Sequence, residues 1–221
     1  MVLVLGIDEA GRGPVIGPMV ICGYLIESEK LKLLRQLGVR DSKELSPEKR
    51  NELASKLKRL ARDYALIKLS AREIDKLRDE KNLNRIEMER FAELINLFAP
   101  DVAIVDSPQV NTRRFKGELK RLLKVKDVRL IVENYADKKY AVVSAASILA
   151  KVARDREIEK IKRIAGFDFG TGYPHDPATI EFLKLLLKRY KRFPDYVRSS
   201  WITARNLLTQ SEQRKLKDFL C

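Results

Sequence analysis

Near the amino terminus the chain runs Val2-Leu3-Val4-Leu5-Gly6-Ile7-Asp8-Glu9-Ala10-Gly11-Arg12-Gly13-Pro14. The apolar run before Gly6 reads as a buried strand. Two adjacent acids at the end of such a strand are costly unless something offsets their charge, and a divalent cation does so. The glycines on either side of Arg12 let the backbone approach a ligand with no Cβ in the way, an arrangement suited to a phosphate or a sugar. The competing reading of the same residues is a strand that ends in a Gly-rich turn with solvated acids.

Outward from this stretch, Val15–Ile26 reads as a second strand and Glu29–Leu37 as a short helix. Ser46-Pro47-Glu48 is a helix start, with Ser as N-cap, Pro at the first helical position and an acid in the first turn; that helix is expected to run to Asp63. Tyr64–Leu69 reads as a short strand. Asn84–Phe98 is amphipathic, with Ile86, Phe91, Leu94, Ile95 and Phe98 on its buried side. Val102–Val105 and Val128–Val132 are further strands. Arg113–Leu123 is a basic helix, Lys138–Ile164 one long helix, and Pro177 opens a helix to Tyr190. Strands first, then strand–helix alternation, then helices predict an α/β fold with a mixed sheet and a helical C-terminal region.

Acids recur at the ends of these strands. Asp106 follows Val102–Val105, and Asp137 lies past Val128–Val132. Ligands of open α/β sheets gather outside the carboxyl ends of parallel strands, so Asp8, Glu9, Asp106 and Asp137 are candidates to converge as hard oxygen ligands for Mg²⁺ or Mn²⁺. Two such ions about 4 Å apart activate a water and stabilise the leaving oxygen of a phosphodiester. Taken singly, each acid reads first as part of a surface turn, and only their recurrence at strand ends points to a shared site. On the long helix, Asp137, Tyr140, Ser144, Ser147, Lys151 and Arg154 recur at spacings of three or four and share one face. This stripe suits a phosphate track; its alternative is a solvated helix face.

The 221 residues are 45% hydrophobic, enough for a core, and carry a formal net charge of +14. With a pI of about 9.8, such a protein is expected to meet a polyanion, most often nucleic acid. A Lys- and Glu-rich hyperthermophile surface accounts for the charge density, but not for its imbalance. Cys22 and Cys221 do not make a disulfide framework. There is no signal peptide or membrane span in the sequence, and a cytoplasmic location is expected.

These residues together resemble ribonuclease HII, the type 2 ribonuclease H family, and its archaeal members most. The likeness spans residues 2–205 and rests on Gly6-Ile7-Asp8-Glu9-Ala10-Gly11-Arg12-Gly13, on Asp41-Ser42-Lys43-Glu44-Leu45, on Ala136-Asp137-Lys138 with Val143 to Ile148 and Ala150 to Val152, on Gly170-Thr171-Gly172-Tyr173-Pro174, and on Asp106 in Val105-Asp106-Ser107-Pro108. Type 3 relatives carry a different Gly-rich motif and an extra N-terminal domain, and this sequence starts at its first strand. The resemblance implies a ribonuclease H-like mixed five-stranded sheet flanked by helices. It implies cleavage of RNA in RNA–DNA hybrids with Mg²⁺ or Mn²⁺, two ions per site with substrate. It also implies incision 5′ of single ribonucleotides embedded in duplex DNA, leaving 3′-hydroxyl and 5′-phosphate ends, by a protein expected to act as a monomer without a membrane.

Carried onto matching positions, Asp8, Glu9, Asp106 and Asp137 are the metal-binding, catalytic acids. Gly11, Arg12 and Gly13 meet the ribonucleotide around its 2′-hydroxyl, Tyr173 stacks under the sugar beside the cut, and Lys43 holds a backbone phosphate; Ser144 and Lys151 join them from the helix stripe. Against these stand plain packing of Tyr173 over a turn and a solvated Lys43. His175 is read as an exposed loop residue and Trp201 as packing the C-terminal helices. The rivals are another ribonuclease H-like nuclease, of the junction resolvase or integrase type, and a non-catalytic basic nucleic-acid-binding protein. The first lacks this Gly-Arg-Gly and Gly-Tyr-Pro pairing, and the second leaves the four acids unexplained.

Residues 1–206 are assigned to the catalytic domain and 207–221 to a tail. In the tail, Gln213, Leu216, Phe219 and Leu220 are similar to the box that docks repair proteins on the sliding clamp PCNA. One helical turn places the three apolar residues on one side, although the second aromatic usual in that box is here Leu220. The same residues would also serve a helix packed on its own domain.

Overall fold

The computed structural model describes the backbone of residues 1–39 and 46–220 and the side chains of 1–39 and 46–213. Segment 41–45 with Lys43, and the side chains of Leu216, Phe219 and Leu220, lie outside the described residues. The described chain divides into two compact units. The first comprises Met1–Ala10, Val20–Lys68 and Asn82–Ala153, and the second Gly11–Met19, Leu69–Lys81 and Arg154–Cys221.

The first unit is built on a five-stranded sheet of β1 (Leu3–Ala10), β2 (Met19–Glu27), β3 (Asp63–Leu69), β4 (Val102–Asp106) and β5 (Arg129–Glu133), in the order β3-β2-β1-β4-β5. The first strand pairs antiparallel with β2 and parallel with β4, which pairs parallel with β5. The sheet is therefore mixed and five-stranded, as expected. Its helices are α1 (Leu31–Gln36, after a 3-10 turn at Ser28–Lys30), α2 (Pro47–Leu60), α4 (Leu83–Phe98), α5 (Thr112–Leu122), α6 (Ala136–Lys139) and the first half of α7 (Ala141–Ala165). Ser46 caps α2 by accepting from the Lys49 amide, as its sequence predicts.

Side-chain alternation splits β1 between two faces. Val4 joins a core with Leu53, Leu57, Val142, Ala145 and Leu149 of α2 and α7. Gly6 lies on the same face, and a Cβ built there would overlap the backbone carbonyl of Val142, so its bare backbone lets α7 lie against the strand. On the other face a Cβ at Gly23 would meet Leu5, Leu94 and Phe98, and Phe91 of α4 packs edge-on against Phe115 of α5.

The second unit holds α3 (Ala71–Arg78), the rest of α7, α8 (Pro177–Tyr190) and α9 (Ile202–Leu220). Its core gathers Val15, Ile16, Ile158, Phe169, Phe182, Leu183 and Val197. Phe182 stacks between Phe167 and Phe169, at centroid distances of 5.1 and 5.3 Å.

Two expectations about the elements are corrected. The second strand begins at Met19 rather than Val15. The Val15 and Ile16 amides donate to Gly172 O, Ile16 pairs with Val197, and Gly17 sits at φ +90°; Pro18 then has no N–H to give a ladder. The long helix is broken at Tyr140, which is extended. Its hydroxyl donates to Glu133 at 2.8 Å, and its carbonyl accepts from Val143 and Ser144, restarting the helix. The sequence reading also passed over α3, whose capping box of Ser70 and Glu73 is complete. The assigned boundary at 206/207 falls inside α9, which is one helix from Ile202 to Leu220. Among the described residues no helix is long and apolar enough to cross a membrane.

Candidate active site

In the first unit the period of two along β1 places Asp8 two residues beyond Gly6, on the face that α7 covers. The parallel register sets Ile7 beside Val105 as the last pair between β1 and β4, so Asp106, which ends β4, and Asp8, where β1 runs on only with β2, each follow that pair. Asp8 is 5% exposed. Burial, then the charges of Glu9 and Asp106, hold its pKa well above the usual carboxylate range, opposed by hydrogen bonds from the Ser147 hydroxyl and the Glu9 amide. The Glu9 amide donates to Asp8 Oδ1 at 2.8 Å. Asp8 therefore feels the charge of two of the other three expected acids. Asp106 Oδ1 accepts from the Ala136 amide at 3.0 Å, which fixes the start of α6 beside it. Asp137 is the next residue and is 6% exposed. Next to Asp106, Glu133 at the end of β5 is held low in pKa by hydrogen bonds from Lys139 and Tyr140.

Among the described residues no three His, Cys, Asp or Glu side chains close around a metal position. The donor set nevertheless fits a hard divalent cation. Mg²⁺ takes one or two carboxylates and keeps waters and substrate oxygens for its other positions, and a cation offsets the burial and then the repulsion that raise Asp8.

The polar stripe of the long helix resolves into different roles. Ser144 is buried and donates its hydroxyl to the Val39 carbonyl. This corrects its expected contact with substrate, because the hydroxyl serves the packing of α7. Ser147, one turn on, is the stripe residue that reaches the acids. Lys151 is half-buried on α7. The helical spacing was legible in sequence; which hydroxyl met Asp8 depended on how closely α7 lies against Gly6.

In the second unit the Gly11-Arg12-Gly13 loop meets Tyr173. Gly11 adopts φ +85°, in the left-handed region that favours glycine. A Cβ at Gly13 would stand 3.4 Å from the Tyr173 ring, so the ring lies on the bare glycine. The Arg154 guanidinium lies 5.6 Å from the Tyr173 ring centroid and donates to the Thr171 carbonyl at 2.8 Å. Arg154 is therefore a buried support of this loop rather than a solvated cation. Asp176 accepts from the Thr171 amide and hydroxyl at 2.8 and 2.7 Å, and from the Ala178 amide at 3.0 Å as N-cap of α8. Thr179 takes the Gly172 amide at 3.1 Å and donates to the Phe169 carbonyl at 2.8 Å. His175 is exposed beside Tyr173, with ring centroids 5.4 Å apart.

Sequence reading missed Arg198; Trp201 packs against the core of the second unit, as expected, and also reaches the loop. The Trp201 indole N–H donates to the Gly13 carbonyl at 3.1 Å, and Arg198 donates to the carbonyls of Gly11, Arg12 and Gly17. An isolated arginine before Ser-Ser-Trp carries no periodic or spacing signal that would have marked it.

The chain is 44% identical to ribonuclease HII of Methanocella arvoryzae, covering 98% of this chain and 96% of that one. Its structure is similar to that of ribonuclease H2 from Pyrococcus horikoshii, with a TM-score of 0.90 and 44% identity over 96% of this chain and 99% of that one. It is also similar to the enzyme in the PCNA:RNase HII complex from Archaeoglobus fulgidus, with a TM-score of 0.83 and 43% identity over 90% and 95% of the two chains. The family profile described as Ribonuclease HII matches residues 5–204. With acids at adjacent strand ends of a five-stranded mixed sheet and this profile across the fold, the chain belongs to the ribonuclease HII family of metal-dependent endoribonucleases.

Proposed function

We propose that the protein, besides hydrolysing the RNA strand of RNA–DNA hybrids, incises duplex DNA 5′ of a single embedded ribonucleotide, leaving 3′-hydroxyl and 5′-phosphate ends. The observation that carries this reading is the Tyr173 ring packed on Gly13, in a loop that begins two residues after Glu9 in the chain. The 2′-hydroxyl is the group that separates RNA from DNA. A backbone without Cβ atoms admits a sugar closely, and a ring beside it supplies a flat surface for that sugar. Asp8, Glu9, Asp106 and Asp137 would hold Mg²⁺ or Mn²⁺, two ions with substrate. When bound, the metal activates the attacking water and stabilises charge on the leaving oxygen. Ser147 and the Glu9 amide orient Asp8, and the Ala136 amide orients Asp106. Lys43, Lys151 and the exposed cations of α5 (Arg113, Arg114, Lys116, Lys120 and Arg121) hold phosphates.

A duplex carrying one ribonucleotide, with and without Mg²⁺, tests the reading. Cutting is expected only with metal and only at the ribonucleotide's 5′ side. Asp8→Asn, Asp106→Asn and Asp137→Asn are expected to fold and lose most turnover. Tyr173→Ala is expected to lose more in cleavage than in duplex binding, because duplex affinity comes mostly from phosphates. Incision of the all-DNA duplex at an equal rate would overturn it.

A second reading concerns α9. The Archaeoglobus fulgidus relative is seen with PCNA, and Gln213, Leu216, Phe219 and Leu220 stand at helical positions i, i+3, i+6 and i+7. We infer that this end of α9 docks on a sliding clamp. Deleting residues 213–221 is expected to abolish clamp binding and leave cleavage of short duplexes intact; retained clamp binding would refute it.

A further inference from the structure

The Gly-Arg-Gly loop is an awkward reader of a single hydroxyl. Its two glycines leave the backbone more freedom than any other residues would, whereas a discriminating contact must be held to within about 0.5 Å. The loop is held from 186 to 188 residues away in sequence. Arg198 Nη2 donates to Gly11 O at 2.6 Å, Nη1 to Arg12 O at 2.9 Å, and Nε to Gly17 O at 3.0 Å. Its own amide donates to Val15 O at 2.8 Å. Trp201 adds the Gly13 carbonyl at 3.1 Å, so three consecutive loop carbonyls are taken by two side chains from one short segment.

We propose that Arg198, with Trp201 beside it, is the positioning residue that sets ribose selectivity, locking the Gly11–Gly13 loop without touching substrate. This rests on the loop's reading of the ribonucleotide as proposed above. The clasp is itself braced. Asp75 of α3 accepts from the Ser199 and Ser200 amides at 2.6 and 3.2 Å and from the Ser200 hydroxyl at 2.6 Å. Arg78 and Arg198 each lie 4.7 Å from the Trp201 ring centroid.

A structural role alone does not account for a buried cation here. Arg198 is 0% exposed, and burying a charge is expensive unless it is fully hydrogen-bonded. An apolar residue would fill the volume without that cost. Burial, and after it the charge of Arg154, lowers the Arg198 pKa to about 9, which leaves it charged at neutral pH. A planar fork with five fixed donors is what three differently placed carbonyls require, and lysine's single ammonium cannot span them.

The test compares wild type, Arg198→Lys and Trp201→Phe as full chains under single-turnover conditions. Substrates are a DNA duplex with one ribonucleotide and the same duplex all-DNA, with affinities from fluorescence anisotropy. Trp201→Phe keeps an aromatic ring beside the two arginines and removes the indole donor with its five-membered ring, so it reports even if Arg198→Lys fails to fold. Both variants are expected to lose about tenfold or more in the cleavage rate at the ribonucleotide, the loss expected of an off-place site. The dissociation constant and melting temperature of Trp201→Phe are expected to stay at wild-type values. Wild-type cleavage rates in a folded Arg198→Lys, or in Trp201→Phe, would overturn the positioning role. So would losses that only follow falling stability or duplex affinity. If wild type itself ignores the embedded ribonucleotide, the sugar-reading loop fails first and the positioning role falls with it.

Discussion

Replacing Thr179 by Val keeps the side chain's shape and removes one oxygen. That oxygen is fully buried and works twice, accepting from the Gly172 amide at 3.1 Å and donating to the Phe169 carbonyl at 2.8 Å. The valine would strand one buried donor and weaken one buried acceptor. A stranded buried group costs about 1–3 kcal/mol, and the added methyl returns about 0.8 kcal/mol. The net loss is expected to be about 1–2 kcal/mol, measured by urea denaturation followed by circular dichroism. For a chain of this size it corresponds to about 2–8 °C in melting temperature. Activity should fall further than stability at 25 °C implies, because Gly172 O accepts from Val15 and Ile16 and Tyr173 is the next residue. Thr179→Ser keeps both bonds and is expected to retain activity, losing about 1 kcal/mol of stability for its missing methyl. A valine variant within 0.5 kcal/mol of wild type would refute the argument, since an unmet buried amide is its whole basis.

Two further perturbations test the scaffold. The Asp176 carboxyl is held below its ordinary pKa of 3.8, first by the Thr171 amide and then by the Thr171 hydroxyl, so it stabilises the fold above that value and ceases to as pH falls through the lower folded-state value. Asp176→Ala is expected to cost about 1 kcal/mol at pH 7, the usual worth of an N-cap. The gap to wild type should narrow below pH 4; a gap that widens in acid would contradict it. Gly6→Ala would drive a methyl into the Val142 carbonyl. Because backbone must shift, about 3 kcal/mol or more of stability is expected to go, together with turnover as Ser147 moves off Asp8. An alanine variant with wild-type melting temperature and rate would show that α7 can move away from β1 at no cost.

Much of the first unit is legible in one dimension. The apolar runs Val2–Leu5 and Val102–Val105 mark β1 and β4, with Val4, Leu5 and residues 103–105 buried, because continuous apolar runs of that length have few other solutions. An acid directly after the second run, and one three residues past the first, fall near the carboxyl ends of their runs wherever the strands lie in the sheet, which is why Asp106 and Asp8 were readable. Local chemistry also announced the cap of α2 and, through Pro177, the start of α8. Nothing in Lys139-Tyr140-Ala141 breaks a helix by propensity. The break follows from the Tyr140 hydroxyl reaching Glu133 on β5, a partner that exists only once the sheet has formed. Ser144 and Ser147 occupy similar positions on a helical wheel, yet one is spent on Val39 and the other faces Asp8, because Gly6 sets how α7 lies on the sheet. Arg198 shows the same limit most clearly. Sequence patterns encode neighbours a few residues apart, where helical and strand periods apply. A guanidinium that meets carbonyls 181 to 187 residues away leaves no such period, and only the folded chain brings those partners together.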